Sequence, residues 1–356
     1  VKILLVLLLN IVYCLFFLST AVATNQDQLN NNRATSTIAV SELSTSKVST
    51  GKIKLCAVYP HLKDSYWLSI NFGMTEQAKQ RSIELKVLDA GGYQNKDEQL
   101  RQIEQCIHWQ ASAILVGSVN FEALNQKLAQ VNKHTPVFAL VNEIATNNIS
   151  GRTGVSWYQM GYQLGEYLVK HHQNNFNTTP ATLAWFPGPK RGGGSLQSTK
   201  GLQAALVNSP IEIIAIEHGL NEKITQFSLL KDTLKKYNNI DYLAGNAVMA
   251  EMAINEVGRL PKEQQPEILS HYLSHGVYRG IKRHKILMAN SDQMVLQGKM
   301  AINQAVDYLK IGKVKTLQAP TIITIDQATI KKLKTELSLS PSNFKPIYSI
   351  KATEVK

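Results

Sequence analysis

From Lys52 onward, short apolar runs alternate with longer segments whose apolar residues recur every three or four positions. Short runs bounded by turn-forming residues predict buried strands and the longer period predicts helices, so the pattern reads as repeated strand–helix units. The first series places strands at 53–59, 85–90, 113–117 and 137–141, separated by helices near 65–81, 96–109 and 122–132. A second series places strands at 153–155, 183–186, 211–216, 242–244 and 268–273, with helices near 158–171, 194–207, 223–236 and 248–259. A strand at 286–289, a helix near 292–309 and the strand-like TIITI after Ala319 follow. Strands joined through helices run parallel, so the two series predict an α/β fold of two doubly wound parallel-sheet lobes with a ligand cleft between them. The expected division is 52–154 with 275–317 in the first lobe, and 155–274 with 318–356 in the second.

The opening VKILLVLLLNIVYCLFFLSTAVAT has a basic Lys2, an apolar run through Leu18 and the small-residue triplet Ala21-Val22-Ala23. It reads as a secretory signal peptide over 1–23, cleaved after Ala23, rather than as an uncleaved membrane anchor, so the chain is expected to be exported, and the resemblance given below implies the periplasm. The Asn-, Gln-, Ser- and Thr-rich stretch 24–51 is expected to be a flexible leader. Cleavage removes Cys14, and the remaining pair, Cys56 and Cys106, is open to a disulfide or to two buried thiols. The formal net charge of +12 comes from dispersed Lys and Arg, apart from short clusters such as Lys282-Arg283-His284-Lys285. Export excludes nucleic acid as a partner, and a cleaved signal leaves no membrane insertion.

Aromatic residues fall where predicted strands give way to loops or helices: Tyr66 and Trp67, Tyr93, Trp157 and Tyr272. In open α/β sheets the ligand crevice lies beyond the carboxyl ends of the strands, so these rings can converge although far apart in the chain. Ring faces attract quaternary ammonium groups, and several of them on one crevice suit a cation. Asp64 is expected to cap the helix that carries Tyr66 and Trp67, or to face a ligand cation. Trp185 and Tyr278 remain open to a site role, whereas Tyr167 and Trp109 are assigned to packing.

Catalytic and metal readings find little support. GPKRGGGS follows a strand but fits neither phosphate-binding glycine motif, and Ser195 lacks the nucleophile elbow. His271 and His275 lie four apart, yet a strand end intervenes and no third ligand is evident, so no metal is expected. No enzyme activity and no cofactor are expected, and no helix-turn-helix pattern precedes Lys52.

The blocks KLCAVYPHLKDSYWLS, LDAGGYQNK, GVSWYQMGY, DYLAGNAV and YLSHGVYRGI carry a resemblance that extends from about Lys54 to the C-terminal region. Across them the chain resembles the periplasmic trimethylamine-N-oxide receptors of the type I periplasmic-binding-protein class. That resemblance implies a two-lobed fold in which the chain crosses three times between lobes. It also implies a site for trimethylamine N-oxide, with Tyr66, Trp67, Trp157 and Tyr272 around the trimethylammonium group and Tyr93 nearby. The partner it implies is the periplasmic domain of a TorS-like sensor histidine kinase. The donors to the N-oxide oxygen are not marked in the sequence. An alternative reading is a substrate-binding protein of an ABC importer for a sugar or a quaternary amine.

Overall fold

The computed structural model describes residues 52–352. The expected signal peptide 1–23 and leader 24–51 lie outside the described residues. Two sheets organise the described chain. The first has strands β1 (Lys54–Tyr59), β2 (Glu84–Asp89), β3 (Ala113–Val116), β4 (Val137–Leu140) and β5 (Gly151–Thr153) at its centre, all parallel. The second is built on β6 (Ala181–Gly188), β7 (Ile211–His218), β8 (Tyr242–Gly245), β9 (Glu267–Ser270) and β10 (Met288–Ser291), again parallel. Central strands such as Ala113–Val116, Val137–Leu140 and Tyr242–Gly245 are buried throughout, as strands covered by helices on both faces must be.

The edges of both sheets come from the last part of the chain. β11 (Leu317–Gln318) extends the first sheet beside β5, and β12 (Ile323–Asp326) pairs antiparallel with β10 in the second. β13 (Ser349–Ile350) then returns to the first sheet and pairs antiparallel with β2. Asn71 fixes that return by donating to the Ile347 carbonyl at 3.0 Å and accepting from the Ile347 amide at 2.9 Å.

These pairings differ from the division expected at residues 275 and 318. The helix His275–Lys282 is a short crossover that carries β9 into its parallel neighbour β10, so the passage between lobes falls between Ser291 and Met294 rather than at 275. The segment after 318 is shared, with β12 in the second sheet and β13 in the first. A short strand after a short helix pairs with its predecessor because the apolar Met288 and Ala289 are buried against β9, an affinity that the local period does not reveal.

At the hinge side, His275 joins the two lobes. Its Nδ1 lies 2.6 Å from the Ser65 hydroxyl, its backbone N–H donates to that oxygen at 3.1 Å, and its Nε2 reaches the Ser340 carbonyl at 2.8 Å. On the face of the first sheet away from the cleft, Cys56 of β1 and Cys106 of the helix Lys96–His108 form a disulfide, with their Cα atoms 5.7 Å apart.

Candidate functional site

The helix Ser65–Gln80 starts at the carboxyl end of β1, and Asp64 starts it. The Asp64 carboxylate accepts the Trp67 N–H at 3.0 Å, which satisfies one of the unpaired donors of the first turn. Its other oxygen lies 3.8 Å from His61 Nε2. Tyr66 and Trp67 therefore sit on a capped first turn facing the second lobe. In that lobe Ser156 caps the helix Trp157–Phe176 by accepting the Gln159 N–H, placing Trp157 at the helix's first position. This helix lies almost against the helix Ser195–Leu206, because a Cβ on Gly161 or on Gly201 would fall 1.9 Å from a backbone oxygen of the other helix.

All five expected aromatics meet. The Tyr66 ring lies 5.2 Å from Tyr272 at 75°, 6.0 Å from Trp67 at 72° and 6.3 Å from Trp157 at 39°. Trp157 stands nearly perpendicular to Tyr272, at 6.1 Å and 87°. Tyr66, Trp157 and Tyr272 thus lie in mutual contact, each ring within 6.3 Å of the other two. Trp67 Nε1 donates to the Tyr93 hydroxyl at 3.2 Å, and Asn142 Nδ2 donates to the same oxygen at 3.3 Å. Asn142 is itself held by the Ser118 carbonyl at 2.8 Å.

The walls are dry. Tyr66 and Tyr272 are each 5% exposed, Trp157 3% and Trp67 1%. Tyr66, Trp67 and Tyr93 come from the first lobe and Trp157 and Tyr272 from the second. Burial raises the hydroxyl pKa of each cage tyrosine: Tyr93 to about 12 and Tyr66 and Tyr272 well above the ordinary value, so all three stay neutral donors. A cleft of about 480 Å³ opens beside the cage, lined by Asp64, Tyr66, Asn221, Glu251, Tyr272 and Ser274.

The glycine-rich loop closes the opposite side. The Phe121 N–H donates to the Arg191 carbonyl at 3.2 Å, bridging the lobes. A Cβ on Gly193 would sit 3.3 Å from the Tyr93 hydroxyl, and one on Gly194 only 2.2 Å from the Trp157 indole. Gly194 also has φ of 80°, a left-handed conformation that glycine adopts without a steric cost. Behind this loop lies a second, smaller cavity of about 250 Å³ that includes Ser118, Glu122, Glu143, Lys190 and Arg191.

Several site residues carried no sequence signal of their own. Val141 holds φ of 64°, unusual for a β-branched residue, and its carbonyl accepts Trp157 Nε1 at 3.3 Å. His271 packs its ring 5.9 Å from Trp157 and 5.0 Å from Tyr272; burial lowers its pKa to about 3 and keeps it neutral. Asp292, immediately after β10, is fully buried and accepts the Tyr66 hydroxyl. The positional rule that found the aromatics, a side chain just past a strand's carboxyl end, applies equally to Asp292 and Asn142.

Other residues fall outside the cage. Trp185 lies behind His271, 5.1 Å from its ring, and donates to the Thr199 hydroxyl at 2.9 Å. Tyr278 packs on the core from the helix His275–Lys282. Tyr167 stacks on His171 and donates to Asp326 at 3.3 Å on an outer groove of the second lobe, and Trp109 lies under Lys54, 4.4 Å from its ammonium. Among the described residues no group of three or more His, Cys, Asp or Glu could hold a metal, and no helix is long and apolar enough to cross a membrane.

An enclosed aromatic site between two α/β lobes joined at a hinge defines a solute-binding protein. The chain belongs to the periplasmic-binding-protein family: the family model for periplasmic binding proteins and the sugar binding domain of the LacI family matches residues 52–340. It is 43% identical over 297 residues to the periplasmic protein TorT of Escherichia coli (strain K12), covering 83% of this chain and 84% of that one. Among solved structures, the complex of the TorS sensor domain with TorT in the presence of TMAO contains a chain 38% identical, with a TM-score of 0.76, covering 83% of this chain and 100% of that chain. An ABC transporter solute-binding protein from Bradyrhizobium sp. BTAi1 with bound bis-tris is 35% identical, with a TM-score of 0.72 over 84% of this chain and 90% of that one.

Proposed function

We propose that this protein is a periplasmic receptor that holds trimethylamine N-oxide in the aromatic cage between its lobes and reports occupancy to the periplasmic domain of a TorS-like sensor histidine kinase. The observation that carries this reading is the convergence of Tyr66, Trp67, Tyr93, Trp157 and Tyr272 from both lobes into one dry cluster. Each ring face in contact with a trimethylammonium group contributes roughly 0.5 to 2 kcal/mol, the larger figure applying where water is excluded. A ligand that touches walls on both lobes favours the closed arrangement by its differential affinity. That change in lobe geometry is what a partner spanning both lobes reads. The likeness to TorT, and to the TorT chain crystallised with the TorS sensor domain, supports the ligand and the partner together. The Cys56–Cys106 disulfide suits an oxidising compartment such as the periplasm. The protein acts by binding, so the ligand is recovered unchanged after incubation.

Calorimetric titration with trimethylamine N-oxide, glycine betaine, choline and ribose tests the cage. Tight binding of the N-oxide alone supports the reading, and preference for ribose overturns it. Gel filtration with the periplasmic domain of a TorS-like kinase tests the signalling role. The relative that is an ABC transporter solute-binding protein favours the second reading, delivery of a quaternary amine or a sugar to an importer. Absence of any kinase complex, with ligand binding retained, selects that second reading.

A further inference from the structure

Asp292 joins the two halves of the cage and has one oxygen to spare. Its Oδ2 accepts the Tyr66 hydroxyl and Gln297 Nε2, the latter at 2.7 Å, while Gln297 Nε2 also donates to the Asp292 carbonyl at 2.7 Å. Its Oδ1 is buried and accepts no hydrogen bond from any other residue. A buried polar atom left without a partner costs roughly 1 to 3 kcal/mol, and more when charged, so a native structure keeps one where something else completes it. The carboxyl is bonded to Tyr66, a cage wall, and Oδ2 is already engaged twice. Oδ1 is therefore the carboxyl atom left with capacity for a further hydrogen bond.

We propose that Asp292 Oδ1 binds the oxygen of the N-oxide through a single proton drawn from solvent, so that ligand binding is proton-linked. This inference rests on the trimethylamine-N-oxide reading above. The N-oxide oxygen has only lone pairs to offer, and so does an ionised carboxylate oxygen. Two such acceptors repel at contact unless a proton lies between them. Burial shifts the carboxyl toward taking up that proton, against the opposing hydrogen bonds from Tyr66 and Gln297. The shared proton also gives discrimination, because a quaternary ammonium without an acceptor oxygen satisfies the rings and leaves Oδ1 bare.

Most other titratable groups near the cage do not supply this linkage, and the Asp292→Asn control separates any uptake through His61, whose ring lies 5.5 Å from Tyr93. Tyr66, Tyr93 and Tyr272 lose their protons only at strongly alkaline pH, and His271 stays neutral down to about 3. Asp64 is engaged as the helix cap, and Glu251 accepts from the Ser274 hydroxyl. Glu143, raised by burial, accepts the Trp157 N–H at 3.4 Å on the side of the glycine-rich loop. Because the bound complex holds one more proton than the free protein and ligand, affinity is highest at mildly acidic pH. It falls by up to about tenfold per pH unit once the free carboxyl is ionised.

The test is calorimetry of the intact protein in buffers of different ionisation enthalpy, with trimethylamine N-oxide and with tetramethylammonium. The expected result is uptake of about one proton per N-oxide bound and none with tetramethylammonium. Asp292→Asn, whose amide donates without a proton from solvent, should bind the N-oxide with no proton uptake and with a flat pH profile. Thermal unfolding checks that this variant is folded; if it is not, the buffer series on the unmodified protein decides alone. Binding of the N-oxide without proton uptake overturns the inference, as does uptake that persists in a folded Asp292→Asn. Failure of the unmodified protein to bind the N-oxide at any pH removes the ligand reading itself.

Discussion

Gly194 and Trp157 meet so closely that a single methyl group on the glycine would fall 2.2 Å from the indole. The loop that carries Gly194 bridges to the first lobe through the Phe121 N–H and the Arg191 carbonyl, so one contact seats a cage wall and seals the cage. Gly194→Ala should lower trimethylamine-N-oxide affinity by at least about tenfold, because the indole must move and the left-handed backbone resists a Cβ; that strain alone costs roughly 1 kcal/mol or more. Titration calorimetry checks the affinity and denaturant unfolding the stability. An unchanged affinity would mean that the loop does not shape the site.

Trp67→Ala and Trp157→Ala should each abolish high-affinity binding, but both side chains are nearly fully buried. Each substitution should also cost about 3 to 5 kcal/mol of stability, the usual range for truncating a buried tryptophan. Binding must therefore be measured well below the melting temperature of each variant. Trp157→Phe keeps a ring and loses the bond to the Val141 carbonyl, so it should retain partial affinity; equal affinity in all three variants would defeat the cage.

Asp64 separates a capping role from a charge role. Asparagine caps helices about as well as aspartate, so Asp64→Asn preserves the bond to the Trp67 N–H while removing the charge. The geometry leads us to expect a change in affinity below about threefold, whereas Asp64→Ala should cost about 1 kcal/mol of stability. A large loss with asparagine would assign Asp64 to direct attraction of the ligand cation.

The Cys56–Cys106 disulfide closes a loop with a sequence separation of 50, on the sheet face away from the cage. Loop-closure entropy for that length is worth up to about 4 kcal/mol, and the double variant Cys56→Ala with Cys106→Ala should lose roughly 2 to 4 kcal/mol of stability. Its affinity for the N-oxide should stay the same. A drop in affinity without a drop in stability would reverse this assignment.

How far the sequence reached depended on which force placed each residue. The strands and helices followed from local apolar period, and the aromatic cluster followed from one topological rule about strand ends. The sheet to which Met288–Ser291 belongs did not follow, because a pairing partner is chosen by burial against β9, which no local pattern encodes. His271, discounted as a metal ligand, proved to be packed among the rings. Asp292 carries no local signal because it is a lone carboxyl at the start of a helical period, and its hydrogen bond to Tyr66 comes from a distant part of the chain. The Gly-rich loop matched no catalytic motif for a simple reason: its glycines provide clearance for two rings rather than a cradle for phosphate.

The chain passes between the lobes at 154–156, between Ser291 and Met294, at 319–322 and again before Ser349, the last being one more than the three crossings the resemblance implied and due to β13 returning to the first sheet. Several connections between the same two bodies restrict their relative movement more than a single one would, as the knuckles of a door hinge do. If the site closes along one coordinate, the partner proposed above has only one quantity to sense, the angle between the two lobes. Receptor and detector can then be tuned independently, since changes within the cage alter how often that angle is small but not the shape presented when it is.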